Sequence, residues 1–225
     1  MHSHILPGID DGAKDIDTSL RLIRGLKSLG YERLIATPHV YAELHPNTPE
    51  TIELAASQLQ TALLEQDIPI DLHYAAEYMI DESFDLMLEA KTLLQLSKPF
   101  VLVETMFLSE LPNFVETLFR LQAAGYSPII AHPERYHFMF GNLTKAEDLK
   151  SRGALLQVNA LSLIGYYGKH EKHTAVQLLE AGLIDFIGTD LHHERHLDRL
   201  VNYHIERKIQ RLFEKANFRN SELSP

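Results

Sequence analysis

The chain has 225 residues and no cysteine. That absence excludes disulfides, thiolate metal sites and a cysteine nucleophile together, so any metal must be held by nitrogen and oxygen. It also fits a reducing compartment, and the expected location is the cytoplasm. No apolar run approaches the ~20 residues needed to span a bilayer. The first residues carry no basic segment followed by an apolar stretch, so no signal peptide is expected. Positive charge is scarce as well. A formal net charge of −10 disfavours a nucleic-acid binder, whose phosphate affinity is built from Lys and Arg patches. Clustered metal-ligating carboxylates would give the same negative sum, and bound cations would cancel part of it. A glycine-rich phosphate loop is missing too. So is the strand expected before His2, and a few further residues are expected upstream of Met1.

What is present reads as alternating helix and strand in one domain over residues 1–225. Cap chemistry at Asp17-Thr18-Ser19 precedes an apolar-periodic helix that stops at Gly30. A second helix is expected from Pro49 to about Glu65 with proline at its start. Others are expected near 112–124 and 170–181, and a long charged helix from about Leu197 closes the chain. Between them lie short apolar runs, and almost every one ends on a polar residue. Leu34–Thr37 ends at Pro38-His39, Ile68–Ala76 at Glu77, Phe100–Val103 at Glu104, Ser127–Ala131 at His132, Leu155–Val158 at Asn159 and Ile184–Gly188 at Asp190-Leu191-His192. Three of these joints resemble one another: L-G-Y-E-R-L-I-A-T-P-H, A-A-G-Y-S-P-I-I-A-H-P-E-R and E-A-G-L-I-D-F-I-G-T-D-L-H. Short strands without alternation suit a parallel sheet covered on both faces. A repeated βα unit of this kind points to an irregular α/β barrel, whose strand ends converge on one mouth. A doubly wound open sheet is the structural alternative.

The candidate constellation is therefore His2, His4, Asp11, His39, Glu77, Glu104, His132, Asp190 and His192, all nitrogen and oxygen donors suited to divalent Mn, Fe or Zn. An isolated histidine is ordinarily a surface or satisfied polar residue, and His45, His73, His137, His170, His193, His196 and His204 are read that way. An Asp-Asp-Gly is ordinarily a turn. It is the combination that argues for metal. On a strand, alternate side chains share a face, so His2 with His4, and Asp190 with His192, can each address one ion.

The motifs H-S-H-I-L-P-G-I-D-D-G, T-P-H, A-E-Y, V-E, A-H-P-E-R and T-D-L-H, taken in order, resemble the polymerase-and-histidinol-phosphatase (PHP) superfamily over essentially the whole chain. Within it they are most similar to the bacterial manganese-dependent protein-tyrosine phosphatases of capsule and exopolysaccharide loci. The resemblance implies a distorted (β/α)7 barrel with three divalent ions, Mn first. It implies that His2, His4, Glu77 and Asp190 hold one ion, that Glu77 bridges to a second completed by Glu104 and His132, and that Asp11, His39 and His192 hold the third. Asp10 is then turn chemistry or support for a ligand. Arg135 matches a phosphate-contacting arginine, the expected catalytic and substrate-binding residue. Relatives carry a further arginine where this chain has Leu197, and Arg195 or Arg199 is the expected substitute.

The implied reaction is hydrolysis of a phosphate monoester, with no general acid assigned; a phenolate leaving group, pKa about 10, demands little acid help. The implied partner is a phosphotyrosine protein, a bacterial tyrosine autokinase in particular, with no nucleic acid and no membrane span. The alternatives are a small-molecule phosphatase of the histidinol-phosphate type, a nuclease or proofreading module, and a non-catalytic metal-stabilised kinase-binding protein.

Overall fold

The computed structural model of the chain describes residues 1–203 and 206–223. In chain order the elements are α1 (Ile16–Ser28), β1 (Arg33–Ala36), β2 (His39–Val40), α2 (Pro49–Glu65), β3 (Asp71–Tyr74), β4 (Glu77–Met79), α3 (Glu82–Ala90), β5 (Phe100–Glu104) and α4 (Phe114–Ala123). Then follow β6 (Ser127–Ala131), α5 (Leu143–Ser151), β7 (Leu155–Asn159), α6 (Ala160–Leu163), α7 (Lys169–Glu180), β8 (Phe186–Gly188), α8 (Glu194–Asn202) and α9 (Arg207–Lys215).

All strand pairing is parallel. The strands form a pair, β1-β3, and a six-stranded sheet in the order β2-β4-β5-β6-β7-β8. Each of the first two strand positions is broken in the middle. Pro38 has no N–H to give the ladder, so β1 and β2 are two halves of one run, as are β3 and β4 on either side of the buried Ala75-Ala76. The N-terminal segment closes the ring. Thr37 N donates to Ser3 O at 2.8 Å, while His4 N donates to Leu191 O at 2.9 Å and Asp190 N to His2 O at 2.8 Å. Seven chain segments thus stand side by side, which is the distorted α/β barrel expected from the repeated joints.

Strand alternation sorts the apolar residues into two cores. Val101, Val103, Ile130, Leu156 and Val158 join the large cluster shared with the helices. Ile35, Phe100, Leu102, Ile129, Ala131 and Phe186 form a second, smaller one with Leu96 and Leu223. This second cluster is the floor of the barrel lumen. Continuing along the same faces, Leu102 leads to Glu104, and Leu155 to Gln157 and Asn159, so the lumen turns polar toward the carboxyl ends of the strands.

The helix expectations hold with adjustments. The cap of α1 is Asp15, which accepts from Thr18 N, and not Asp17-Thr18-Ser19; Asp17 sits inside the first turn. α2 begins at Pro49 with Thr48 and Thr51 capping each other. α3, α5 and the short α6 fall outside the expected helices. The long closing helix is instead α8 and α9 as separate helices. His204 lies outside the described residues.

Candidate metal centre

Every candidate ligand except Asp11, which lies on the loop after the first segment, sits at the carboxyl end of a strand position, as parallel strands of one hand dictate. The two ligand pairs are built around one bridge. Ser3 pairs with Leu191 in parallel, so His2 and His4 flank one partner while Asp190 and His192 flank the other. The sharing of a face expected for H-x-H and D-x-H is achieved around this single bridge, without a regular strand. His2 and His4 bring their Nε2 atoms to 3.4 Å, and both lie 3.4 Å from Asp190 Oδ1. Gly12 makes the approach possible: a Cβ there would fall 2.0 Å from His4 O.

Three overlapping groups offer ligand atoms within 4.8 Å of one another: His2, His4, Glu77 and Asp190; His4, Asp11, His39 and His192; and His39, Glu77 and Glu104. His4, His39 and Glu77 are the shared members. The third group holds His39 where the resemblance implies His132. His132 Nε2 lies 2.9 Å from Glu77 Oε1 and 3.9 Å from Glu104 Oε2. All nine residues are thus gathered at one mouth.

Leftover polar atoms test whether this arrangement fits divalent ions. Among the described residues, buried Glu77 Oε2, His39 Nδ1 and His132 Nδ1 have no hydrogen-bond partner. Glu77 Oε2 nevertheless lies 3.2 Å from both His2 Nε2 and His39 Nδ1, and 3.3 Å from His4 Nε2. Donors this close without hydrogen-bond alignment point at a common centre. Such orphans are costly in a closed interior, and nitrogen with carboxylate oxygen is the ligand set of Mn, Fe and Zn. The residues fit the metal.

The backbone agrees. His2, His132 and Asp190 hold φ of 61°, 32° and 49°, a region that costs a side-chain-bearing residue about 1–3 kcal/mol and collects at functional sites. Charges are coupled across the centre. Burial works against ionised Glu77, yet His2, His39 and His132 hold its carboxyl well below the usual range. Burial likewise opposes Asp190, and His2 and His192 hold it low. For His39, burial and nearby His4 pull downward but Glu77 and Glu104 outweigh them, leaving a pKa of about 9.

Asp10 is both a turn residue and a support. Its Oδ1 accepts from Gly12 N at 3.0 Å, while Oδ2 accepts from His39 N at 3.2 Å and lies 2.8 Å from His4 Nδ1.

Above the centre lies a cavity of about 370 Å³. Arg135 reaches into it from the turn after β6. Its guanidinium is held between the rings of Phe107 and Tyr167, 4.7 and 4.4 Å from their centroids, and Nη1 donates to Asp190 Oδ2 at 3.0 Å. Tyr41, Leu44, Met79 and Phe107 supply an apolar wall. Arg195 is not in this cavity; it lines an adjoining groove with Lys14 and Arg21. Arg199 stacks on Tyr203. Leu197 faces α1, since a Cβ at Gly25 would lie 2.1 Å from its Cδ2, so that position is occupied in helix packing.

Three histidines set aside in the sequence, His45, His193 and His196, line the cavity. His73 keeps its ordinary role beside Asp71, and His137 and His170 stack on Phe140. The reading along the chain also missed Phe107, Tyr167 and the lumen-facing Gln157. A polar pair two residues apart in an otherwise apolar strand was the available signal for Gln157 and Asn159.

A parallel α/β barrel whose mouth gathers imidazoles and carboxylates, with a guanidinium at its rim, has the architecture of a metal-dependent hydrolase. The family model for "Capsular polysaccharide synthesis, CpsB/CapC" matches residues 1–219. The chain belongs to this CpsB/CapC family, in line with the PHP resemblance of its motifs. It is 37% identical over 194 residues to tyrosine-protein phosphatase YwqE of Bacillus subtilis (strain 168), covering 85% of this chain and 76% of the relative. It is 27% identical over 200 residues to tyrosine-protein phosphatase CpsB of Streptococcus pneumoniae, covering 85% and 82%. A chain from the crystal structures of YwqE from B. subtilis and CpsB from S. pneumoniae, described as unique metal-dependent tyrosine phosphatases, matches with a TM-score of 0.83 at 33% identity, covering 95% of this chain and 85% of that one.

Proposed function

We propose that this chain is a metal-dependent protein-tyrosine phosphatase, a single catalytic domain over residues 1–225. Its cofactors would be three divalent ions, manganese first. The observation that carries the reading is the convergence of nine nitrogen and oxygen side chains at one mouth, Glu77 with its unpartnered Oε2 among them, and with Arg135 clamped at the rim. His2, His4, Glu77 and Asp190 would hold one ion. Glu77, Glu104 and His132 would hold a second, and Asp11, His39 and His192 a third. When bound, the ions supply charge neutralisation for the phosphate and a lowered pKa for water.

The chain's own residues supply the rest. Arg135 offers a planar fork that matches two non-bridging phosphate oxygens and stabilises the charge that builds on them. Phe107 and Tyr167 keep that fork from swinging away. Tyr41, Leu44, Met79 and Phe107 form a wall suited to the flat face of a phenyl group, which favours an aryl ester. Arg195, on the adjoining groove, would meet an acidic residue flanking the phosphotyrosine. The family's association with capsular polysaccharide synthesis supports a bacterial tyrosine autokinase as the partner, and the lack of cysteine supports work in the cytoplasm. Among the described residues no helix is long and apolar enough to cross a membrane.

Elemental analysis of the purified protein coupled to a phosphotyrosine-peptide assay tests site and reaction together. We expect about three ions per chain, the number that the proposed ligand sets accommodate, and release of phosphate. Bound metal without turnover of any phosphoester would replace this reading with the metal-stabilised binding protein. Faster turnover of histidinol phosphate than of the phosphopeptide would replace it with the small-molecule phosphatase.

A further inference from the structure

The lumen face of β7 sets two amides, Gln157 and Asn159, beneath the metal centre, both fully buried. A neutral amide in a closed interior is stable only when its polar atoms are engaged. Here they form a chain. His2 Nδ1 lies 2.5 Å from Gln157 Oε1, Gln157 Nε2 donates to Asn159 Oδ1 at 2.8 Å, and Asn159 Nδ2 donates to Asp190 Oδ2 at 2.7 Å.

The last member dictates the direction. An ionised carboxylate only accepts, so Asn159 must turn Nδ2 toward Asp190 and Oδ1 toward Gln157. Gln157 then has to donate to that oxygen, which leaves its own Oε1 as an acceptor for His2. Neutral His2 must therefore carry its proton on Nδ1, and the lone pair is left on Nε2, the atom that faces Glu77 Oε2 and Asp190 Oδ1.

We propose that Gln157 and Asn159 are positioning residues that act as a one-way amide relay. They set the tautomer of His2 and the orientation of Asp190, so that both present lone pairs to the same ion. The inference rests on the metal reading of the site. It also gives the two histidines of the opening H-x-H unlike supports. His4 is backed by the Asp10 carboxylate, which adds charge and donor strength; His2 is backed by an amide, which fixes direction without a further anion beside Glu77 and Asp190.

Two other contacts belong to the same device. A Cβ at Gly188 would lie 2.6 Å from Gln157 Nε2 and 2.9 Å from His2 Cβ, so only glycine leaves room for the relay. Glu134 Oε1 accepts from Asn159 N at 2.9 Å and from Ser162 Oγ at 2.6 Å, tying the end of β7 to the turn that carries His132 and Arg135. The relay ends on Asp190 Oδ2, the oxygen that also receives Arg135, and so links a metal-side histidine to the phosphate-side arginine.

The test uses the full chain loaded with zinc, which is diamagnetic. Nitrogen-15 spectra of wild-type His2 should show Nδ1 protonated and Nε2 bound; the reverse assignment overturns the relay even if every variant misfolds. Zinc affinity, measured by chelator competition, should fall ~10–100-fold in Gln157→Met and in Asn159→Leu, the usual range for loss of an outer support. Gln157→Glu should keep the downfield, slowly exchanging Nδ1 proton of His2 and Gln157→Met should lose that hydrogen-bonded signature, because only the carboxylate still accepts from the ring. Wild-type affinity in both apolar variants, or identical His2 spectra in the Glu and Met proteins, would overturn the relay while leaving the metal reading intact. A wild-type chain that takes up no zinc would overturn both.

Discussion

One barrel lumen has two ends of opposite character, made from the same strands. At the floor, Phe100 and Phe186 meet edge to face with centroids 5.7 Å apart, packed with Leu102 and Ile129. One step further along the same faces come Glu104, Gln157 and Asn159, and then the imidazoles. The candidate ligands His2, His132 and Asp190 carry left-handed backbone, and the lumen mouth holds buried polar atoms without partners. Among the described residues, no member of the floor cluster has either. The two ends divide the labour: apolar burial at the floor stabilises a frame stiff enough to hold strained, crowded ionisable groups at the mouth, where their unpartnered atoms fit a metal.

The largest effect should come from emptying the mouth. Dialysis against a chelator is expected to abolish phosphatase activity, with recovery on adding Mn, and Asp190→Ala should do the same irreversibly. It should also loosen the opening residues, which the bonds of His2 and His4 would otherwise tie down; hydrogen exchange at the N-terminus reports this. At the floor, Phe186→Ala should cost ~3–5 kcal/mol of stability, read by denaturant unfolding, while metal content in the remaining folded protein stays normal. If instead metal content fell with little loss of stability, the division of labour would be wrong.

Arg135→Ala should lower kcat by ~10²–10³-fold, the scale for removing one preorganised donor from a transition state, and leave bound metal near normal. A pH titration separates the two ends more gently. Because His39 is raised to about 9 in the metal-free chain, it contributes stability that is fully present below its unfolded pKa near 6.5 and is lost as pH rises through about 9. Metal must displace that proton, so metal affinity should rise over the same interval, by up to about tenfold per pH unit for one proton. Unfolding and metal-binding curves measured at pH 6.5 and 9 should therefore move in opposite directions. The smallest effect belongs to the wall. Leu44→Ala should raise KM for an aryl phosphate a few-fold, about 1 kcal/mol of lost apolar contact, with kcat for a small alkyl phosphate unchanged.

Much of the mouth was legible along the chain because most of the ligands end a short apolar run, and parallel strands of one hand bring their carboxyl ends together. His132 and Glu104 could be picked out on that ground without any contact information. His45, His193 and His196 could not, since His45 sits on a turn, His193 caps α8 and His196 lies in its first turn, and where these segments aim their side chains depends on what they pack against. Gln157 was hidden in an apolar run that looked buried on both faces; only the alternation between lumen and helix sides separates it from Leu156. The arginine question shows the same limit. Nothing local distinguishes Arg195 from Arg199 as a stand-in at Leu197, and the packing of α8 on Gly25 turns both away from the cavity.

The order of residues alone determined the donor chemistry: no thiolate, imidazoles and carboxylates at strand ends, an arginine three residues after a proline-marked histidine. These are properties of side-chain type and of the period of the chain. The three-dimensional arrangement decided which of those donors share an ion, which are backed by Asp10 or by the Gln157–Asn159 relay, and how Arg135 is clamped. Those outcomes depend on distances between residues far apart in the chain, His2 and Asp190 or His2 and Gln157 among them, and such distances exist only once the barrel has closed.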